Sequence, residues 1–302
     1  MRQRTSKESG TVLILTCAVL SVVVVLVASL SFATGIDVTS SQNALAELKN
    51  RQAILSSLQI ARTLYASKDS GDSSPARILS YLWQCGDVEV TVVFRDEERK
   101  LSIKSLTDPR GKIIPSREEE ISRLLRRFVP DADAVLSRLC DYIDEDSEGP
   151  FENNAKNAPL DTVDELLLLD GINREAFFGD SAAGKIGLRD VLTLDSTGKV
   201  NINTASAEVL MCLSAEIDEA AAREIVEARA SQPFSQPYDA VKRGLLPQDV
   251  YNKISGRLTS VGSTYSVLIE AKCGNCTKRC EALLKRRSGG ADVVRFKEVG
   301  ES

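Results

Sequence analysis

The chain has 302 residues, 43% of them hydrophobic and 27% charged, which is ordinary for a folded protein with room for two cores. It contains no histidine, which removes the commonest general base, the Ser-His and Cys-His nucleophile pairs and the usual zinc ligand. The net charge of −5 is unevenly spread: residues 117–257 hold 16 Lys/Arg against 27 Asp/Glu, an acidic block unsuited to a polyanionic partner.

Between Glu8 and Asp37 there is no charged residue, and residues 11–33 are dominated by Val, Leu, Ile and Ala, enough to span a bilayer. Arg2, Arg4 and Lys7 precede this run, so the positive-inside rule keeps the N-terminus cytoplasmic and exports the remainder. A secretory signal peptide is the alternative, but its apolar core normally runs only ~7–15 residues. Leu48, Leu55, Leu58, Ala61 and Tyr65 recur on one helical face, with no Pro or Gly between Ile36 and Ser70. Span and stripe therefore predict one helix of about 55 residues, about 80 Å long.

A short basic leader ending in Gly10, followed at once by the apolar helix, resembles the class III leader of type IV pilins and pseudopilins. The resemblance implies cleavage by prepilin peptidase between Gly10 and Thr11. Thr11 stands where Phe or Met is usual, and Leu15 where the family carries a glutamate at mature position five. That carboxylate is thought to pair with a neighbouring subunit's N-terminal amine, and a buried ammonium without a partner costs several kcal/mol. A chain with Leu15 suits the end of a filament.

After the helix, Val88 to Phe94 and Leu101 to Leu106 read as strands around a charged turn. Far downstream, "STYSVLIEAKCGNCTKRCEALLKRR" and "ADVVRFKEV" predict three more strands, with Gly274-Asn275 as a hairpin turn. The acidic block between them reads as helices, with loops at "DEDSEGPFENNAKNAP" and "STGKVNINT". N-caps are expected at Asp161 or Thr162 and at Thr204 or Ser206.

"NINTASAEVL" is how many helix-hairpin-helix units begin. Nucleic-acid-binding versions continue into a glycine turn whose N–H groups approach a phosphate. Here the turn is Ser214 to Glu219, with three carboxylates and no glycine, which argues for a packing role. "LCDYIDEDSEGP", "NAPLDTVDELLLLDGI", "KVNINTASAEVL" and "PFSQPYDAV", in that order behind a pseudopilin leader, resemble the K-type minor pseudopilins of type II secretion systems. The resemblance implies an α+β fold: a long N-terminal transmembrane helix and a pilin-like antiparallel sheet, with a large inserted all-α domain of helix-hairpin-helix-like (SAM-like) repeats. The expected division is 1–10 leader, 11–36 transmembrane helix, 37–67 periplasmic helix, 68–116 first pilin-like part, 117–258 insertion and 259–302 final strands. It implies a non-enzymatic subunit that caps the pseudopilus tip in the bacterial periplasm. The implied partners are the I-type and J-type minor pseudopilins, the major pseudopilin, prepilin peptidase and the inner membrane, with no nucleic acid. The alternatives are a membrane-anchored DNA receptor of the competence type and a minor pilin of a type IV pilus.

Asp141, Asp144, Glu145, Asp146, Glu148 and Glu152 fall together without a Lys or Arg among them. Asp144, Asp146, Glu148 and Gly149 fit positions 1, 3, 5 and 6 of an EF-hand loop, but position 12 is Ala155. A solvated loop and a structural Ca2+ site held by Asp141, Asp144, Asp146, Glu148 and Glu152 are both open, the second because K-type proteins carry calcium in the helical domain. Cys273 and Cys276 flank the hairpin turn, where a disulfide, reduced thiols or a metal or redox role are all open.

Overall fold

A computed structural model describes residues 5–67, 78–145, 148–153, 155–180, 182–287 and 290–299. One helix, α1, runs from Thr5 to Ser67 without a break. Its side chains are exposed from Gly10 to Leu45, and this apolar stretch is long enough to cross a membrane. From Ala46 onward the helix lies on a sheet and buries Asn50, Ala53, Ile54, Ser57, Leu58, Ala61 and Tyr65. This corrects the expected stripe in part, because Leu48 and Leu55 are 65% and 49% exposed. Small residues at 53, 57 and 61 define the packed face, since they let the sheet approach closely; side-chain size alone pointed to the wrong leucines.

The sheet consists of β1 (Ile78–Cys85), β2 (Val88–Asp96), β7 (Thr264–Cys273), β8 (Cys276–Arg287) and β9 (Gly290–Val299), in that spatial order and antiparallel throughout. Alternation sends Val88, Val90, Val92 and Phe94 inward, opposite Val267, Ile269 and Ala271, to form one core with α1. The β7–β8 hairpin turns at Gly274, whose φ of +58° suits a residue without Cβ.

The chain between β2 and β7 forms a second core that shares no residue with the first. Its short parallel pairs are β3 (Leu101–Ser102) with β4 (Leu192–Thr193), and β5 (Val200–Asn201) with β6 (Leu258–Thr259). Its helices are α2 (Pro115–Phe128), α3 (Ala132–Ile143), α4 (Arg174–Phe178), α5 (Leu188–Val191), α6 (Ala207–Leu213), α7 (Glu219–Ser231), α8 (Asp239–Lys242) and α9 (Gln248–Ile254). The run Leu101 to Leu106, expected as a strand of the pilin-like sheet, instead pairs with Leu192–Thr193 and closes in a 3-10 turn at Ile103–Ser105. Leu101, Ile103 and Leu106 belong to the second core, so the insertion begins near residue 97, ahead of the expected residue 117.

The two ends of the sheet are distinct. At the end nearer the apolar part of α1, Lys49 pairs with Asp87 at 2.6 Å and Asn50 Nδ2 donates to the Cys276 carbonyl at 2.9 Å. At the other end the rings of Tyr65 and Tyr265 meet at 4.9 Å. The inserted domain leaves β2 at Asp96, whose sheet partner is Tyr265, and returns at Thr264. It therefore grows from the end of the sheet farthest from the membrane-length segment.

Candidate functional site

Three consecutive acids, Asp96 at the end of β2 and Glu97 and Glu98 after it, are all buried. Asp96 Oδ2 accepts from Asn201 Nδ2 at 2.7 Å and from the Thr204 hydroxyl at 2.6 Å, and Oδ1 accepts from the Glu98 amide at 3.0 Å. Glu97 accepts from the Thr193 hydroxyl at 2.7 Å. Glu98 accepts from the amides of Thr197, Ser263 and Thr264 and from the Ser263 hydroxyl. One short segment thus ties the sheet to both connections of the inserted domain. Burial, and then the neighbouring Glu98, raises the Asp96 pKa.

Sequence reasoning read these acids as a charged turn. The signal against that reading is parity: position 96 continues the inward alternation of Val88, Val90, Val92 and Phe94. The opposing "NINT" residues are equally buried, Asn201, Asn203 and Thr204 each at 1–2% exposure. Asn203 accepts from the Phe234 amide at 2.9 Å and donates to the carbonyls of Phe234 at 2.8 Å and Ser260 at 2.9 Å. It joins the "KVNINTASAEVL" and "PFSQPYDAV" stretches directly. Thr204 is therefore a clamp to Asp96 and not a helix cap. Ser206 holds the cap position of α6, but its hydroxyl makes no hydrogen bond to the helix. Upstream, Glu165 accepts from the amides of Asp161 and Thr162, as a capping box requires, at the head of a 3-10 segment, Val163–Leu168.

Helices α6 and α7 form the helix-hairpin-helix, joined through residues 214–218. The helix N-terminus that would hold a phosphate is filled by the chain's own Asp218, whose Oδ1 accepts from the Ala221 amide at 2.8 Å. Glu216 pairs with Lys253 at 2.5 Å and accepts from the Ser214 hydroxyl. An incoming phosphate would meet two carboxylates at this turn. Glu120 on α2 ties the domain's beginning to its end: Arg257 binds it at two points, 3.0 and 2.5 Å, and Arg117 adds a third contact at 3.0 Å. Burial pushes the Glu120 carboxyl up to about 7 against the opposing pull of Arg117 and Arg123.

At the N-terminus, Gly10 and Thr11 lie within α1, and Leu15, 65% exposed, sits one turn beyond Thr11. In the acidic loop, Asp141 is buried and accepts from the Phe151 amide at 2.8 Å, with its carboxylate against Gly149, where a Cβ would stand only 2.5 Å away. Asp144 is buried, Glu148 is exposed and Asp146 lies outside the described residues. Glu152 accepts from Asn157 Nδ2 at 3.3 Å through Oε2, while its Oε1 is buried without a hydrogen bond. Among the described residues, no three acids or cysteines stand together as a metal cluster. The cysteines are all free thiols, Cys273 and Cys276 included.

Residues 200–259 match the family model for type II secretion system protein K, and the match begins and ends on the paired strands β5 and β6. The matched stretch lies wholly within the inserted domain. A chain in the crystal structure of the GspK–GspI–GspJ complex from the enterotoxigenic Escherichia coli type 2 secretion system shares the fold, with a TM-score of 0.60 at 16% identity. The overlap covers 85% of the present chain and 99% of that one. No characterised protein matches at a significant level by sequence alone. The stretch matched by the protein K family includes Asn201, Asn203 and Thr204, the residues that anchor the insertion to Asp96 and to Phe234.

Proposed function

We propose that the chain is a structural subunit, with no catalytic role, that ends the periplasmic pseudopilus of a type II secretion system and helps start its assembly. The observation that carries this reading is where the inserted domain grows: from the membrane-distal end of the sheet, held there by Asp96, Glu97 and Glu98. A domain of that size on the outward end leaves no room for a subunit stacked above it.

In this reading prepilin peptidase cuts between Gly10 and Thr11, the apolar part of α1 spans the inner membrane with its start in the cytoplasm, and the sheet and insertion lie in the periplasm. Leu15 offers no carboxylate to the amine of a subunit above, and an unpaired ammonium in an apolar helical core is too costly to tolerate. The chain's own amine can still receive a carboxylate from a subunit below. The I-type and J-type minor pseudopilins, as in the GspK–GspI–GspJ complex, and the major pseudopilin are the partners expected beneath it.

Co-purification of the full chain with the I-type and J-type proteins tests the assembly, and failure to recover a complex would contradict it. The mass of the membrane-extracted protein tests processing. A mature chain beginning at Thr11 is expected; one beginning near residue 35 would mean an ordinary signal peptide. The loop with Asp141, Asp144, Asp146, Glu148 and Glu152 is proposed to bind a structural Ca2+. A cation held only by the folded state raises stability by about 2.7 kcal/mol at ~100-fold excess over Kd. Equal melting midpoints in calcium and in chelator would remove it.

A further inference from the structure

We infer that Cys273 and Cys276 form an oxidation site that takes a disulfide donor and closes the β7–β8 hairpin beneath α1. The two residues are direct partners in the β7–β8 register, on either side of Gly274 and Asn275. Facing residues of an antiparallel pair stand about 4.5–5.5 Å apart at Cα and share a face of the sheet. That distance lies within the ~4.4–6.8 Å range of disulfides. Both thiols line a cleft of about 500 Å³ between the hairpin and α1, together with Asn43, Ala46, Lys49 and Asp87.

The cleft also provides the polar groups the exchange needs. Cys273 Sγ lies 3.8 Å from Asp87 Oδ2, toward which its proton is directed, and the same carboxylate is paired with the Lys49 ammonium. Cys276 is only partly buried and meets the donor first. Its thiolate attacks the donor disulfide, releasing one donor thiolate and leaving a mixed disulfide on Cys276. Cys273 then gives up its proton and attacks Cys276 Sγ, releasing the second donor sulfur. Two protein thiols are oxidised, one donor disulfide is reduced to a dithiol, and the two protons leave with it.

Outside the apolar part of α1, which holds Cys17, no other cysteine competes. Burial raises Cys140, Cys212 and Cys280 to about 12, so their thiolates are scarce. Cys85 lies on β1, two strands from β7 and so about 9–10 Å away. Cys280 is four residues along β8 from Cys276, roughly 13 Å. Because Asn50 of α1 donates to the Cys276 carbonyl, the closed pair also fixes the hairpin end that supports the helix.

The test uses the reduced full chain in detergent, so it does not depend on the secretion reading. The protein is incubated with oxidised glutathione, alkylated and digested with trypsin. Cleavage after Lys272 and Lys278 yields the peptide Cys273–Lys278, which holds both thiols and no other cysteine. We expect this peptide unalkylated and two hydrogens lighter, and doubly alkylated if the protein is first treated with dithiothreitol. Double alkylation without reductant, or a link to the peptides holding Cys85 or Cys280, overturns the inference. In Cys273→Ser the glutathione should remain on Cys276, and its absence would refute the order of attack.

Discussion

The body of helix and sheet and the inserted domain are built on different rules. The body's core is a repeated alternation, with Val90, Val92, Ile269, Ala271 and Ala282 facing Ala53 and Ala61 across a close helix-sheet contact. The insertion packs helices such as α2 and α3 around an apolar core of its own, and buried polar groups join its parts: Asn203, Asp96, and Glu120 with Arg257. The two cores share no residue and meet across a polar seam. An apolar core tolerates substitution of similar volume, whereas a buried polar network fails when one member is lost.

That contrast can be broken most severely at Arg257. Arg257→Ala leaves Glu120 buried with a reduced set of partners and should cost about 3–5 kcal/mol. Calorimetry should show the inserted domain melting early, while the fluorescence of Trp83, the only tryptophan, packed against the body's core, keeps its native transition. The double change Glu120→Leu with Arg257→Met should recover most of the loss, because the buried carboxylate and its bidentate arginine are removed together. A Trp83 transition that moves with the insertion in Arg257→Ala would show that the two regions unfold as one.

Asn203→Ala is next, at about 2–3 kcal/mol, since it strands the amide and carbonyl of Phe234 and the carbonyl of Ser260. Denaturant unfolding followed by a probe in the insertion checks it, and a loss below 0.5 kcal/mol, taken as roughly the scatter of surface substitutions, would remove Asn203 from the network.

How much of this was legible in the sequence follows the same division. Uninterrupted apolar character marked α1, alternation marked β2, and strand-like runs on either side of the Gly274-Asn275 turn marked β7 and β8, with β9 after them. Strand β1 went unseen, because "ILSYLWQC" mixes apolar and polar residues without a regular period. Leu101 to Leu106 looked like a strand locally, but its partner lies some ninety residues away and only the tertiary fold reveals it. The motifs naming the family were readable as strings, while their work as internal clamps was not, because the acids that receive them are remote in sequence.

The seam should also respond to pH. Asp96 has a raised pKa in the fold, so ionisation opposes folding: its stabilising contribution is complete below the unfolded value of about 4 and is lost as pH rises toward the raised folded value. Relative to Asp96→Asn, the native chain should lose stability between pH 4.5 and 7, by at most about 1.4 kcal/mol per pH unit. Melting both proteins across that window is the check; parallel curves would contradict the shift. In the body, Ile269→Val should cost only about 0.5–1.5 kcal/mol and move the Trp83 transition alone.

The central claim is that this chain occupies one end of a filament because its inserted domain, on the membrane-distal face, and Leu15 forbid a subunit above it. Labelling the inserted domain and imaging overproduced pseudopili tests that directly. The account predicts label at a single end of each filament, and predicts that Leu15→Glu alone leaves it there because the insertion still blocks stacking. Label at intervals along the shaft would contradict it.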